Sequence, residues 1–429
     1  MNRRNFIIKS GLSSSIFSIV PSSVLGINGV SPNNKIQIGF IGAGRQGRGL
    51  MKNFTEYNEC QIIAVSDVDS QKVDFFSEEF ENKSLKDNEK KVYIKKFEFY
   101  REMLQNTSID AVVIATPDHW HAQMSVDSAK YGKDIYCEKP LSSTISEGRA
   151  MVNSARKYKV VYQTGSMQRS WKHFRHAVEL IQNGYIGEIK EVNVAIGDPH
   201  KQCDLPSLKA PDHLNWNEWI GPVPYRGYHP DLACLLEDKR WGQWRNYKPF
   251  GGGMITDFGA HMFDIVQWAL EMDNSGPKLF VPPKKNATLG LSYYYDNEVK
   301  VNHIKWGKGN NEIQFIGSEG KLEVSRRYLK TSPDKSLKDL IIPKNATKRV
   351  YQSDNHHLDW LNSIKNRTRP ICDVEIGHRT ASVCNICNIA YDLQRDLEWD
   401  AKKEIFVGDD SANLLIDRPY RGNWNYKDF

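Results

Sequence analysis

The chain has 429 residues, more than one hydrophobic core usually fills, so two domains are expected. Hydrophobic residues make up 40% and charged residues 26%, an ordinary globular balance, and the net charge of +6 is halved once Arg3, Arg4 and Lys9 near the amino terminus are set aside. No Lys/Arg stripe interleaved with aromatics argues for nucleic acid as a partner, and seven scattered cysteines give no disulfide framework.

Residues 1–30, MNRRNFIIKSGLSSSIFSIVPSSVLGINGV, run from a basic start through an apolar, serine-rich middle to the small residues around Val24 and Gly26. The middle is too short and too polar for a permanent membrane anchor, so the stretch reads as a cleaved export signal. Arg3-Arg4 followed by Phe6 and Lys9 resembles a twin-arginine (Tat) signal, which exports proteins already folded. The expected location is the periplasm, with the Tat translocon as a transient partner and no membrane anchor.

Residues 34–155 read as a nucleotide-binding domain. KIQIGFIGAGRQGRGLMKNF gives an apolar strand, a glycine turn and a helix, and QIIAVSDVD gives a second buried strand ending in acid. Residues 81–96 are charge-rich and read as a loop or solvated extension. Residues 109–142 supply a strand, a loop, a helix and another strand, and this alternation predicts a parallel α/β sheet. Gly42-Ala43-Gly44-Arg45-Gln46-Gly47 fits G-x-G-x-x-G: a tight turn, a close backbone approach for pyrophosphate, and close helix–strand packing. Asp67 ends the next strand about 20 residues on, where a carboxylate accepts from ribose hydroxyls and repels a 2′-phosphate. NAD is therefore expected over NADP, although Arg45 could reach a 2′-phosphate.

Residues 156–429 read as a substrate domain. EIKEVNVAIGD, ATLGLSYYYD, VNHIKWG and NEIQFIGSEGKLEV alternate apolar with polar residues, the pattern of a sheet with one covered face. GGGMITDFGAHMFDIVQWAL, residues 251–270, reads as a buried helix with Asp257, His261 and Asp264 on one face, beside an apolar stripe through Phe258, Met262, Ile265, Val266 and Ala269. Titratable groups in so apolar a stretch are costly unless paired or functional. Cys384-x-x-Cys387 lies within a helical pattern and reads as core, not as a redox or zinc site. No metal site is expected, Asp118-His119-Trp120-His121 included.

The Cys137-Glu138-Lys139-Pro140 run, the Thr116-Pro117-x-x-x-His121 loop and the 244–268 segment with its Asp-x-x-x-His pair resemble the glucose–fructose oxidoreductase / inositol dehydrogenase / MocA (Gfo/Idh/MocA) family. The resemblance runs from about residue 35 to the end. It implies an α/β fold, with an N-terminal Rossmann domain plus a C-terminal α/β domain built on a large open, mostly antiparallel sheet. It also implies an active site in the cleft between them and a homo-oligomer. Carried over position by position, Lys139 lies near nicotinamide and substrate hydroxyl, Asp257 and His261 on the substrate side, and Thr116, Pro117 and His121 beneath the nicotinamide ribose. With Glu138 and Gln163, these loop residues join Gly42, Ala43, Gly44, Arg45, Gln46 and Asp67 as the expected cofactor set. Asp118 departs from the family, which often has Asn there.

Alcohol oxidation removes a hydride and a proton, so the protein must supply a base and a group that steadies the alkoxide. His261 suits the base and Lys139 the donor, while Asp257 could bind a neighbouring hydroxyl or orient the imidazole. Asp264 is a candidate partner within the helix. Trp120, as a stacking platform or as packing, and Arg169 are candidate substrate contacts. The expected activity is NAD-dependent oxidation of a sugar, cyclitol or glycoside hydroxyl, with NAD held tightly through a closed redox cycle because free NAD is scarce outside the cytoplasm. A redox-cycling glycosidase and a non-enzymatic sugar or nucleotide sensor are the alternatives.

Overall fold

Short, fully buried strands such as Ala111–Ile114 alternate with helices and build a parallel sheet covered on both faces. The computed structural model describes residues 35–429 except 89–90, 286 and 308–310; the expected leader at 1–30 lies outside the described residues. The first sheet comprises β1 (Ile36–Ile41), β2 (Cys60–Ser66), β3 (Lys95–Phe97), β4 (Ala111–Ile114), β5 (Asp134–Cys137) and β6 (Tyr162–Thr164). Its order is β3-β2-β1-β4-β5-β6, parallel throughout. The order reverses between β1 and β4, and a crevice outside the strand ends at such a point is where ligands of open α/β sheets bind.

The second sheet comprises β7 (Ile189–Ala195), β8 (Leu279–Val281), β9 (Ser292–Tyr294), β10 (Lys300–His303), β11 (Glu312–Gly317), β12 (Lys321–Ser325), β13 (Leu329–Ser332), β14 (Leu397–Asp400) and β15 (Ile405–Phe406). The order is β13-β12-β11-β7-β10-β9-β8-β14-β15, and only β7 with β10 is parallel. Leu322 and Val324 of β12 point into a core completed by the helices Lys172–Gln182, Gly259–Ala269 and Val374–Leu393. Cys384 and Cys387 lie in this core, where burial pushes both thiols up.

Three sequence expectations need correction. The helix Ser70–Asn88 continues into the stretch read as a loop, because Phe76 and Phe80 bury one of its faces against the first sheet. The first domain does not end near residue 155: β6 completes its sheet, and the helix His356–Asn366 returns to it, with Trp360 edge-on to Phe54 and Tyr136. The third concerns the 251–270 helix. It is two helices, Gly253–Asp257 and Gly259–Ala269, with a turn at Phe258; Asp257 and His261 both line the cleft, whereas Asp264 turns away to Arg169.

The helix Ile145–Tyr158 opens with a capping box, in which Thr144 accepts from the Glu147 amide and Glu147 accepts from the Thr144 amide. The other oxygen of Glu147 accepts from Arg418 at 2.7 Å and from Tyr420 at 2.9 Å. Arg418 also donates to the carbonyls of Pro249 and His119, so the carboxy-terminal segment ties both domains to the loop that begins at Thr116.

Candidate active site

A cleft of about 1370 Å³ runs between the domains, with the glycine turn at one end and His261 at the other. Gly42 has φ of 103°, and a Cβ there would stand 2.6 Å from the Ala115 carbonyl oxygen. At Gly47 a Cβ would stand 2.1 Å from the Gly42 carbonyl oxygen. In front of Gly44 nothing lies within 4 Å, so the backbone is open where a pyrophosphate would meet the start of the helix Arg45–Phe54. Asp67 lines the same end, its carboxylate accepting from the Ala43 and Asp69 amides at 2.7 and 3.0 Å, and burial pushes its carboxyl up. These residues fit a dinucleotide. Replacing Gly47 by alanine forces the turn apart, an overpacking cost of about 1–3 kcal/mol, so the nucleotide affinity falls roughly tenfold or more. Nucleotide content of the purified variant checks this.

Gln46 links the turn to the next motif by donating to Glu138 at 2.8 Å. Thr116, Pro117 and Asp118 line the cleft beyond it. Lys139 follows, its Nζ donating to the Asp257 carboxylate at 2.6 Å and to the Asp257 carbonyl at 3.0 Å. Arg245 approaches the same carboxylate at 3.4 Å. Burial alone pushes Asp257 up, but Lys139 and Arg245 together hold it below the usual carboxylate range. His261 is 3% exposed; Nδ1 is sealed with no hydrogen-bond partner among the described residues, which leaves Nε2 as the nitrogen open to the cleft. Desolvation, with the charges of Lys139 and Arg326, holds this imidazole well below its ordinary range.

Several expected site residues are elsewhere. Gln163 is fully buried behind the cleft and donates to the His356 carbonyl. Arg169, 1% exposed, donates to Asp264 at 2.8 Å and to Asp273 at 2.7 Å, so it holds the second domain together instead of meeting a substrate. That pairing also turns Asp264 away from His261, and Thr380 donates to the same carboxylate. His121 lies against the carbonyls of Pro140 and Thr116 at 2.8 and 3.1 Å; burial pushes it down to about 4, so it braces the loop as a neutral ring. Trp120 lines the cleft but offers no free platform: a Cβ on Gly221 would stand 2.1 Å from its ring, and Tyr100 and Trp424 meet it edge-on. The option of Asp257 orienting the imidazole gives way to its bond with Lys139.

The sequence reading missed the segment 234–246, which roofs the glycine turn. Arg45 donates to the Lys239 carbonyl at 2.5 Å, and the Trp241 ring lies between Arg45 and Arg245, 5.0 and 5.3 Å from their guanidinium carbons. The density of Trp and Arg in RWGQWR was the available clue. Among the described residues no group of three His, Cys, Asp or Glu could hold a metal, and no helix is long and apolar enough to cross a membrane.

Residues 36–166 match the oxidoreductase family model for the NAD-binding Rossmann fold, and residues 199–426 match that for the C-terminal alpha/beta domain. An uncharacterized oxidoreductase, YrbE of Bacillus subtilis, is 32% identical over 165 residues, covering 38% of this chain and 45% of that protein. A glycosyl hydrolase family 109 protein of Shewanella pealeana is 30% identical over 171 residues, covering 36% and 37%. The match therefore spans less than half the length of these curated relatives. The structure of an aldose-aldose oxidoreductase from Caulobacter crescentus superposes with a TM-score of 0.58 at 16% identity, covering 85% of this chain and 99% of that one, a likeness of fold. Two domain models that together take in most of the described chain, in the order and on the sheets observed, make it a member of the Gfo/Idh/MocA oxidoreductase family, with that family's NAD-binding Rossmann domain and C-terminal α/β domain.

Proposed function

We propose that the protein oxidises a hydroxyl of a sugar, cyclitol or glycoside and retains its NAD between turnovers. The observation that carries this reading is the Lys139–Asp257 pair beside the open Nε2 of His261, at the far end of the cleft from the glycine turn. NAD would be held by Gly42, Gly44 and Asp67 and would supply the hydride acceptor. A substrate hydroxyl bound between Lys139 and His261 gives its proton to Nε2, and the Lys139 ammonium steadies the oxygen as charge develops on it. Asp257 keeps Lys139 aimed. His261 serves because its low affinity for a proton leaves it neutral and ready to accept at neutral pH.

Retention draws support from the 234–246 roof over the glycine turn and from the export signal read at residues 1–30, since an exported enzyme needs its nucleotide loaded before it leaves the cytoplasm. Such an enzyme closes its redox cycle by reducing a second sugar. A second reading, redox-neutral glycoside hydrolysis, is favoured by the family 109 glycosyl hydrolase among the relatives. The test is to purify the protein from the periplasmic fraction, unfold it without added cofactor and identify released nucleotide by mass spectrometry. Near-stoichiometric NAD or NADH is the expected result; an empty protein overturns retention. Incubation with glycosides and no acceptor then separates the readings, because only the hydrolase releases aglycone.

A further inference from the structure

At the substrate end of the cleft Lys139, Arg245 and Arg326 stand with Asp257, Asp118 and Glu138, and the cations do not all have a carboxylate of their own. Asp257 is shared by Lys139 and Arg245, and Asp118 makes no ion pair among the described residues. No carboxylate among the described residues pairs with Arg326. The Arg326 side chain is exposed, so its charge is met by solvent in the free protein and is open to an anion that enters the cleft.

Arg326 is also built to receive it. It sits in the turn between β12 and β13, and its Nε donates to the Gln168 side chain at 2.8 Å. Gln168 is itself 1% exposed. The guanidinium lies 5.3 Å from the Phe258 ring and 5.7 Å from the Trp171 ring. Its two Nη groups have no protein acceptor among the described residues, and the side chain is exposed and lines the cleft. A guanidinium fixed by one bond and two aromatic rings, with both remaining nitrogens open, is pre-organised for an oxyanion. Phe258 joins the helices that carry Asp257 and His261, so this fork stands beside the proposed reacting groups.

We propose that Arg326 is a specificity residue that binds an oxyanion on the sugar ring, so that the substrate is an acidic carbohydrate, a uronate or a sulfate ester, and not a neutral one. This rests on reading the cleft as a sugar oxidoreductase site. Its test uses the nucleotide-loaded protein at constant ionic strength, with glucuronate, galacturonate and mannuronate, their neutral parent hexoses, and glucose 6-sulfate. Binding is followed by calorimetry and oxidation by the absorbance of the reduced nucleotide, so each is read without the other. An acidic sugar is expected to bind about 30-fold tighter than its neutral parent, the range for hydrogen bonds to a charged group. Arg326→Gln should cut that ratio to about threefold or less, with Arg326→Lys between, since it keeps charge but not the fork. Preference for a uronate or for the sulfate identifies which oxyanion is meant. Equal binding of acidic and neutral sugars by the wild type, binding of neither, or a ratio unchanged in Arg326→Gln overturns the inference. Acidic sugars that bind through Arg326 but never reduce the nucleotide overturn the oxidoreductase reading and leave the anion site standing.

Discussion

Replacing Lys139 by methionine is expected to lower hydride transfer by roughly 10³-fold, the combined scale of a lost oxyanion donor and impaired proton transfer, while the nucleotide stays bound. Lys139 bonds Asp257 and not the glycine turn, so the loss of rate should exceed any loss of nucleotide affinity. Single-turnover reduction of bound nucleotide separates the two quantities. The same variant should alter the pH profile in a definite direction. His261 acts only when neutral, so activity is lost as pH falls through its lowered value, below the ordinary histidine value of about 6.5. Burial is the main cause of that lowering and the Lys139 charge the next. Removing that charge lets the imidazole take a proton more readily, so the acid limb moves up in pH. An unchanged limb would mean that His261 is not the base, and a loss of bound nucleotide equal to the loss of rate would remove Lys139 from the chemistry.

Arg169→Met should cost the second domain about 3–5 kcal/mol of unfolding free energy, the penalty for stranding a buried charge. Asp264 is fully buried and would keep only Thr380 as a donor. Burial works against the Arg169 charge as well, and only the paired carboxylates of Asp264 and Asp273 reverse that effect. Denaturant unfolding followed by the tryptophan signal measures the loss. Were Arg169 a substrate contact instead, the same change would raise KM and leave the unfolding midpoint where it was.

The contrast between Lys139 and Arg169 explains what could be read from sequence. The glycine turn was legible because its geometry is local: Gly42 and Gly47 are demanded by backbone contacts within a few residues and with one neighbouring strand, and Gly44 leaves the backbone open. The Glu-Lys-Pro and Asp-x-x-x-His motifs were legible for a similar reason, as compact patterns that carry a family resemblance. Arg169 and Gln163 were misjudged because a strand ending near a cleft does not say which way its neighbours turn. The partners that capture Arg169 are Asp264 and Asp273, 95 and 104 positions along the chain. The turn at Phe258 hid in an unbroken apolar pattern. Arg245 lay inside the 244–268 segment without a role assigned to it, and Arg326 lay outside every motif. Their positions follow from a roof segment and a turn between strands, both set by tertiary packing.

The segment that ends the chain bears on the order in which the protein can be made. Arg418 grips the carbonyl of His119, 299 positions earlier, and Trp424 closes on Trp120. At about 5–20 residues per second, a ribosome needs roughly 15–60 s to bring these partners into existence after the loop has emerged. The nucleotide domain is therefore translated early but lacks one wall until Arg418 and Trp424 have emerged. Its maturation trails the translation of its own strands instead of accompanying it.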